Sequence, residues 1–278
     1  MASGATEAPG RAPAWATRWE QLFIVIACGL ALAAIAVSLG HIGLSWDALN
    51  HHIYLGWTAD QPRFDRDYLA ASYQSYQFPY LYWPVYKLAS LGASGVVAGV
   101  VLMHLHLTVV PALWILARAC IPGHTWFDLG MRAIAVALAM ANGIVLSMFD
   151  TTGNDLLAAI PLVWAIALAI APLASESRQD AGWLKVVALS GFLAGVSTAC
   201  KLSNAPIAVL LPIVWMWPAG SVRARLWAMV LGGGVAITGF AIVYGYWGWM
   251  LWTHYGNPFY PFFDPWMEPL RQWSGWVR

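Results

Sequence analysis

Charge is what this sequence has least of. Only 10% of its 278 residues are Asp, Glu, Lys or Arg, against about a quarter in a soluble domain. A chain this poor in charge cannot cover a water-facing surface. With 60% hydrophobic residues and a mean hydropathy of +0.62, it reads as a polytopic membrane protein. The 14 Lys and Arg nearly balance the 13 Asp and Glu and form no basic block, which excludes nucleic acid as a partner. Cysteine is scarce as well. Cys28, Cys120 and Cys200 lie far apart in or beside apolar runs, without a CxxC pair or secreted-scaffold spacing, and read as free thiols. No internal repeat is visible.

Long apolar runs are what the chain has in abundance. A hydrocarbon core of ~30 Å needs roughly 20 residues of helix, and seven runs approach that: Gln21–Leu44, Ser94–Ala117, Met131–Met148, Leu156–Leu173, Trp183–Cys200, Asn204–Trp217 and Leu226–Trp252. The first, at about 24 residues, is too long and too poor in a cleavage site for a signal peptide. The sixth is short and holds Pro206 and Pro212, as expected of a broken or tilted helix covered by protein. Gly232, Gly233 and Gly234 in the seventh lack the setting of a phosphate loop and suit close helix packing.

The expected fold is therefore all-α, a transmembrane bundle of about seven spans. Residues 1–17, rich in Ala, Gly and Pro, read as a disordered cytoplasmic tail, and residues 18–278 as one membrane module. Seven spans put the termini on opposite sides. With the N-terminus inside, the cytoplasmic segments hold eight Lys or Arg, Arg132 among them, and the longer outside segments hold six. The positive-inside rule then places the N-terminus in the cytoplasm and the C-terminus outside.

On that topology the long loop 45–93 is external, and it opens with SWDALNHHIYLGW. If the helix continues there, Asp47 and His51 are i,i+4 neighbours. A carboxylate and an imidazole on one face can do acid–base work or hold a metal ion; the plainer expectation is a turn capped by Asp47 with His51 and His52 solvated. The aromatic stretch YQSYQFPYLYWPVY fits an interfacial amphipathic helix, with an aromatic lining for a lipid-linked sugar as the lesser alternative. Between the third and fourth spans, FDTTGND lets Asn154 cap the next helix and puts Asp155 in its first turn, where a negative charge suits the helix dipole. Asp150 has no such ready role. Lys201, in STACKLSNAP, is the only charge in the stretch 186–222; it can snorkel to the interface or meet a phosphate group. His104 and His106 project about 200° apart on a helix, which argues against a shared metal face.

Taken in order, WDALNHHIYLGW, TGNDLLAAIPL, AGVSTACKLSNAP and THYGNPFYPFFDP resemble segments of the C-type (GT-C) integral-membrane glycosyltransferases. Within that class, the likeness is to the bacterial families related to protein mannosyltransferases and lipid A aminoarabinose transferases, which use polyprenyl-phosphate sugars. It covers residues 20–264. It implies an active site on the external face of a bacterial inner membrane, a lipid-linked sugar donor among membrane lipids, and Asp47 with His51 as catalytic groups, acting as base or metal-held carboxylate. It further implies Asp150, Asp155, Lys201 and Asn257 on the substrate side, Lys201 nearest the donor phosphate. Whether a divalent metal takes part stays open. Family members commonly continue into further spans, so a non-catalytic accessory subunit among other membrane subunits is the alternative. A transporter is a weaker third, since no span announces in its sequence a buried charge pair of the kind that marks an ion path.

Overall fold

The computed structural model of the chain describes residues 10–43, 45–67, 69–149, 151–174, 182–217 and 220–277. Among these the chain is helical almost throughout, with one short extended segment, Ala70–Tyr73. The helices are α1 (Ala14–Leu39), α2 (Ile53–Thr58), α3 (Trp83–Ser90), α4 (Gly95–Leu107), α5 (Val110–Cys120), α6 (Trp126–Met140), α7 (Gly143–Met148), α8 (Asp155–Ile170), α9 (Trp183–Cys200), α10 (Ala205–Ala208), α11 (Leu211–Met216), α12 (Val222–Tyr255) and α13 (Asp264–Ser274).

Five helical stretches are long and apolar enough to cross a membrane: Ala14–Leu39, Gly95–Cys120, Asp155–Leu173, Trp183–Cys200 and Val222–Tyr255. Large apolar side chains such as Leu30, Val37, Ile237 and Ile242 point outward from them, a surface that lipid accepts and water does not. The chain is thus a polytopic α-helical membrane protein.

Two of the seven expected runs fall short as continuous helices, for local reasons. The run expected over Met131–Met148 stops at Met140, because the Asn142 side chain accepts the Val145 N–H and caps a new helix, α7. The run expected over Asn204–Trp217 is cut into a 3-10 turn at Leu202–Asn204, α10 and α11. Pro206 and Pro212 each lie in the first turn of a new helix, where the missing N–H is not needed.

The two most intimate neighbours are α9 and α12. Cβ atoms added at Gly191 and Gly195 would overlap the carbonyls of Gly232 and Ala236, so the backbones touch, in parallel register. Of the three consecutive glycines only Gly232 is in such a contact, against the Trp215 ring; Gly233 and Gly234 face open space. Ser190 Oγ donates to the Ala165 carbonyl and accepts from Trp215 Nε1, tying α8, α9 and α11 into one core with Leu162, Val187 and Ala228.

The N-terminal end is ordered earlier than its composition suggests. Ala12 N–H donates to the His124 carbonyl and Trp126 N–H to the Gly10 carbonyl, and Ala12 and Ala16 bury against Leu129. Residues 10–17 of the expected tail are therefore structured, and residues 1–9 lie outside the described residues. Arg132, counted above with the cytoplasmic cations, is instead buried in the second turn of α6. Its Nε and Nη2 donate to Glu20 of α1 at 2.6 and 3.0 Å, and its Nη1 donates to the Ile121 and Gly123 carbonyls.

Candidate functional site

At the opposite end of the bundle, α1 closes on Gly40, whose left-handed φ of 71° lets its N–H return to the Ala36 carbonyl. The chain resumes as helix at Trp46 and at once widens into a π-turn, Ala48–His52, with the Ile53 N–H on the Ala48 carbonyl. Such turns cluster at functional sites. This one makes His51 and His52 consecutive buried residues, 4% and 7% exposed, instead of the solvated pair that was the plainer expectation. Asp47 remains exposed, makes no capping hydrogen bond, and holds its Oδ1 3.8 Å from His51 Nδ1. His51 Nδ1 itself is buried without a hydrogen-bond partner.

His52 is fixed from two sides. Its Nδ1 shares a 2.6 Å hydrogen bond with Thr152 Oγ1, and its ring stacks on Tyr82 with centroids 4.6 Å apart. Burial pushes its pKa down to about 4, with the neighbouring His51 adding to the shift; Asp47 and Asp155 oppose it and Lys201 assists it. His51 is likewise lowered, first by burial, with Asp47 opposing and Lys201 assisting. Tyr82 is raised, mainly by burial and then by Asp155 and Asp47. The His52–Thr152 hydrogen bond and the Lys201–Asp155 ion pair bring the start of the long loop and the turns at the ends of α8 and α9 into one neighbourhood.

Lys201 is positioned by the end of α9. Extended backbone at Lys201, φ −154° and ψ 113°, breaks the helix. Asn204 Nδ2 then donates to Ser197 Oγ and to the Ala158 carbonyl, and Ser197 Oγ donates to that same carbonyl at 2.6 Å. This knot pins the turn to α8. From it Lys201 Nζ reaches Asp155 in a close ion pair and Asn154 Oδ1 at 3.4 Å. Asn154 thus faces the lysine and makes no capping bond to α8, contrary to the role its spacing suggested, and Lys201 is held by protein instead of snorkelling free.

Beside Lys201 opens a cavity. Asn154, Lys201 and Ser203 supply polar atoms at one side, and Tyr76, Phe78, Tyr244, Phe259 and Tyr260 line the rest. Tyr76 and Phe78 of this aromatic wall come from the stretch expected to lie in the interface, where Tyr82 is buried too, and Trp247 Nε1 of α12 donates to the Tyr76 carbonyl. What was read as an amphipathic surface is core, because α12 arrives to cover it. The helix that follows, α3, has no buried residue. Asn257 sits behind the wall. Fully buried, it accepts the Phe259 N–H and donates to the Phe262 carbonyl and to Asp264 Oδ1, shaping the turn that presents Phe259 and Tyr260.

Of the six residues singled out from sequence, Asp47, His51, Asp155 and Lys201 share this neighbourhood, Asn257 supports its wall, and Asp150 lies outside the described residues. His52, Thr152 and Tyr82 were missed as site residues. No group of three or more His, Cys, Asp or Glu side chains is placed to share a metal ion among the described residues. Asp47 with His51 is a pair only. The arrangement offers a cation beside an apolar aromatic cavity, and a carboxylate–imidazole pair close by. Against this geometry, no protein-family model, no curated protein and no solved structure matches the chain.

Proposed function

We propose that this chain is a GT-C type membrane glycosyltransferase that moves a sugar from a polyprenyl-phosphate carrier to an acceptor hydroxyl. One observation carries the reading: Lys201 and Asn154 meet an aromatic cavity within electrostatic reach of Asp47 and His51. A lipid-linked sugar needs a cation for its phosphate and apolar or aromatic surface beside it. In the reaction the acceptor oxygen attacks the anomeric carbon and its proton passes to Asp47. The bond from that carbon to the phosphate oxygen breaks, and the electron pair stays on the phosphate, where Lys201 offsets the developing charge.

In this reading the chain passes the membrane seven times, the interrupted stretches 126–148 and 202–216 supplying the third and sixth passes. Parallel neighbours support it: α9 and α12 run side by side in the same direction, so the segment between them has to return. The N-terminus then lies in the cytoplasm of a bacterial inner membrane. With Arg132 buried on Glu20, the cation asymmetry narrows to seven against six, and the greater length of the outside loops carries the rest of that orientation.

A second reading, a non-catalytic subunit of a larger membrane assembly, is favoured by one feature: Lys201 is already neutralised by Asp155. The separating experiment is transfer of a labelled sugar from a polyprenyl carrier by purified parent and Asp47→Asn at matched folded yield. A loss on the order of 10²–10⁴-fold is expected for removal of a general base. An Asn variant as active as the parent would remove Asp47 from the chemistry, and a parent inactive across a panel of donors and acceptors would favour the subunit.

A further inference from the structure

The last helix, α13, carries a feature that the site does not use. At 100° per residue, Trp266, Leu270 and Trp273 fall within about 60° of one another, and they are 75%, 43% and 85% exposed. The opposite face is tied down. Arg271 Nη1 donates to Asp264 Oδ1 at 3.0 Å, and its Nε and Nη2 donate to Glu268 Oε2 at 3.0 and 2.7 Å. Asn257 Nδ2 donates to the same Asp264 oxygen. Gly256, with φ 63°, packs so closely beneath that a Cβ there would meet Arg271 Cδ and the Trp276 ring. The helix is therefore fixed with its tryptophans turned outward.

Its place along the chain says what covers that face. At 1.5 Å per residue, the 34 residues of α12 span ~51 Å, more than the ~30 Å hydrocarbon core, so its loop-side end reaches the membrane boundary. Toward that end its outward residues change from Ile242 to Tyr246 and Trp249, the residue types favoured at the lipid headgroups. A tight turn of eight residues, 256–263, then leads straight into α13. A helix with a sharp Trp and Leu stripe at that depth has the form of one lying in the interface plane.

We propose that α13 is an interfacial anchor whose Trp266, Leu270 and Trp273 face lies in the headgroup region of the bilayer, seating the mouth of the Lys201 cavity at the same depth. The coupling is structural: the turn clamped between Asn257 and Asp264 is the turn that presents Phe259, Tyr260 and Phe262 to the cavity. Membrane contact by α13 would hold that wall level with a lipid phosphate. The inference stands on the helix alone and does not require sugar transfer.

The test is spin-label accessibility in lipid nanodiscs, with Cys28, Cys120 and Cys200 replaced by alanine and single cysteines placed at 266, 270, 273, 265 and 272. Labels at 266, 270 and 273 should be several-fold more accessible to oxygen than to a soluble nickel chelate, and those at 265 and 272, about 100° or more off the stripe's centre, the reverse. Adding Trp273→Glu, which spares the ion pairs of the inner face, should raise nickel access at 270 several-fold. Equal nickel access at all five positions would show a stripe facing water. Immobile labels at 266, 270 and 273, shielded from both reagents, would show a protein partner on that face. Either result overturns the proposal.

Discussion

Two polar clusters sit at opposite ends of this bundle, one buried and one partly open, and they are built differently. At the N-terminal end, Glu20 and Arg132 are 5% and 1% exposed, and each guanidinium nitrogen is bonded, to two carboxylate oxygens and two carbonyls. At the loop end, Lys201 and Asp155 are 31% and 54% exposed, His51 Nδ1 has no hydrogen-bond partner, Asp47 stands free at 3.8 Å, and a cavity opens alongside. A buried cluster in which every charged nitrogen and oxygen is already bonded holds helices together. One with spare capacity next to empty space can accept a ligand.

The comparison can be broken most forcefully at the buried end. Arg132→Met would leave the Glu20 carboxylate buried without a counter-charge, a loss of about 3–5 kcal/mol. We expect a marked fall in folded yield and Tm, with Glu20→Gln in the same direction. A variant as stable as the parent would mean that the pair is dispensable and the two ends are not distinct in kind.

Next in size is the His52 support. Thr152→Val keeps shape but removes the partner of a buried imidazole nitrogen, at about 1–3 kcal/mol, whereas Thr152→Ser keeps the hydroxyl and should behave as the parent. Equal stability of the Val and Ser variants would mean that the 2.6 Å contact fixes nothing.

Acidity probes the same residue more gently. Burial holds folded His52 near 4, below its ordinary 6.5, so the folded chain stays neutral there while the unfolded chain takes up a proton. The stability that follows from this is complete above about pH 6.5 and is lost as pH falls toward 4. Tm should therefore decline across that window, and His52→Gln should flatten the decline, leaving the smaller slope due to His51, which is shifted the same way. Parallel curves for parent and variant would contradict the burial argument.

Much of this was legible in the sequence, unevenly. Low charge and long apolar runs announce a helical membrane protein, and five of the expected runs coincide with helices long enough to span. Asp47, His51, Asp155 and Lys201, drawn from three separate stretches, come to one neighbourhood. The misreadings share a cause, since each depends on a distant partner. Nothing near residue 132 announces Glu20, 112 positions away, and a Tyr-rich stretch looks interfacial until α12 covers it. Asn154 has the spacing of a helix cap, but Lys201 takes its side-chain oxygen. His52 was passed over because i,i+4 spacing favours His51, whereas the π-turn buries both histidines.

The claim that the loop-end cluster has capacity to spare is tested most directly by polyprenyl-phosphate binding to parent, Lys201→Met and Asp155→Asn in nanodiscs. An exposed ion pair contributes about 0–1 kcal/mol, so both variants should fold nearly as well as the parent. Their affinities should diverge. Lys201→Met removes a charged donor and should bind about 10-fold to 100-fold more weakly, while Asp155→Asn frees Lys201 from its internal counter-ion and should bind more tightly. Binding by Lys201→Met equal to that of the parent would contradict the account.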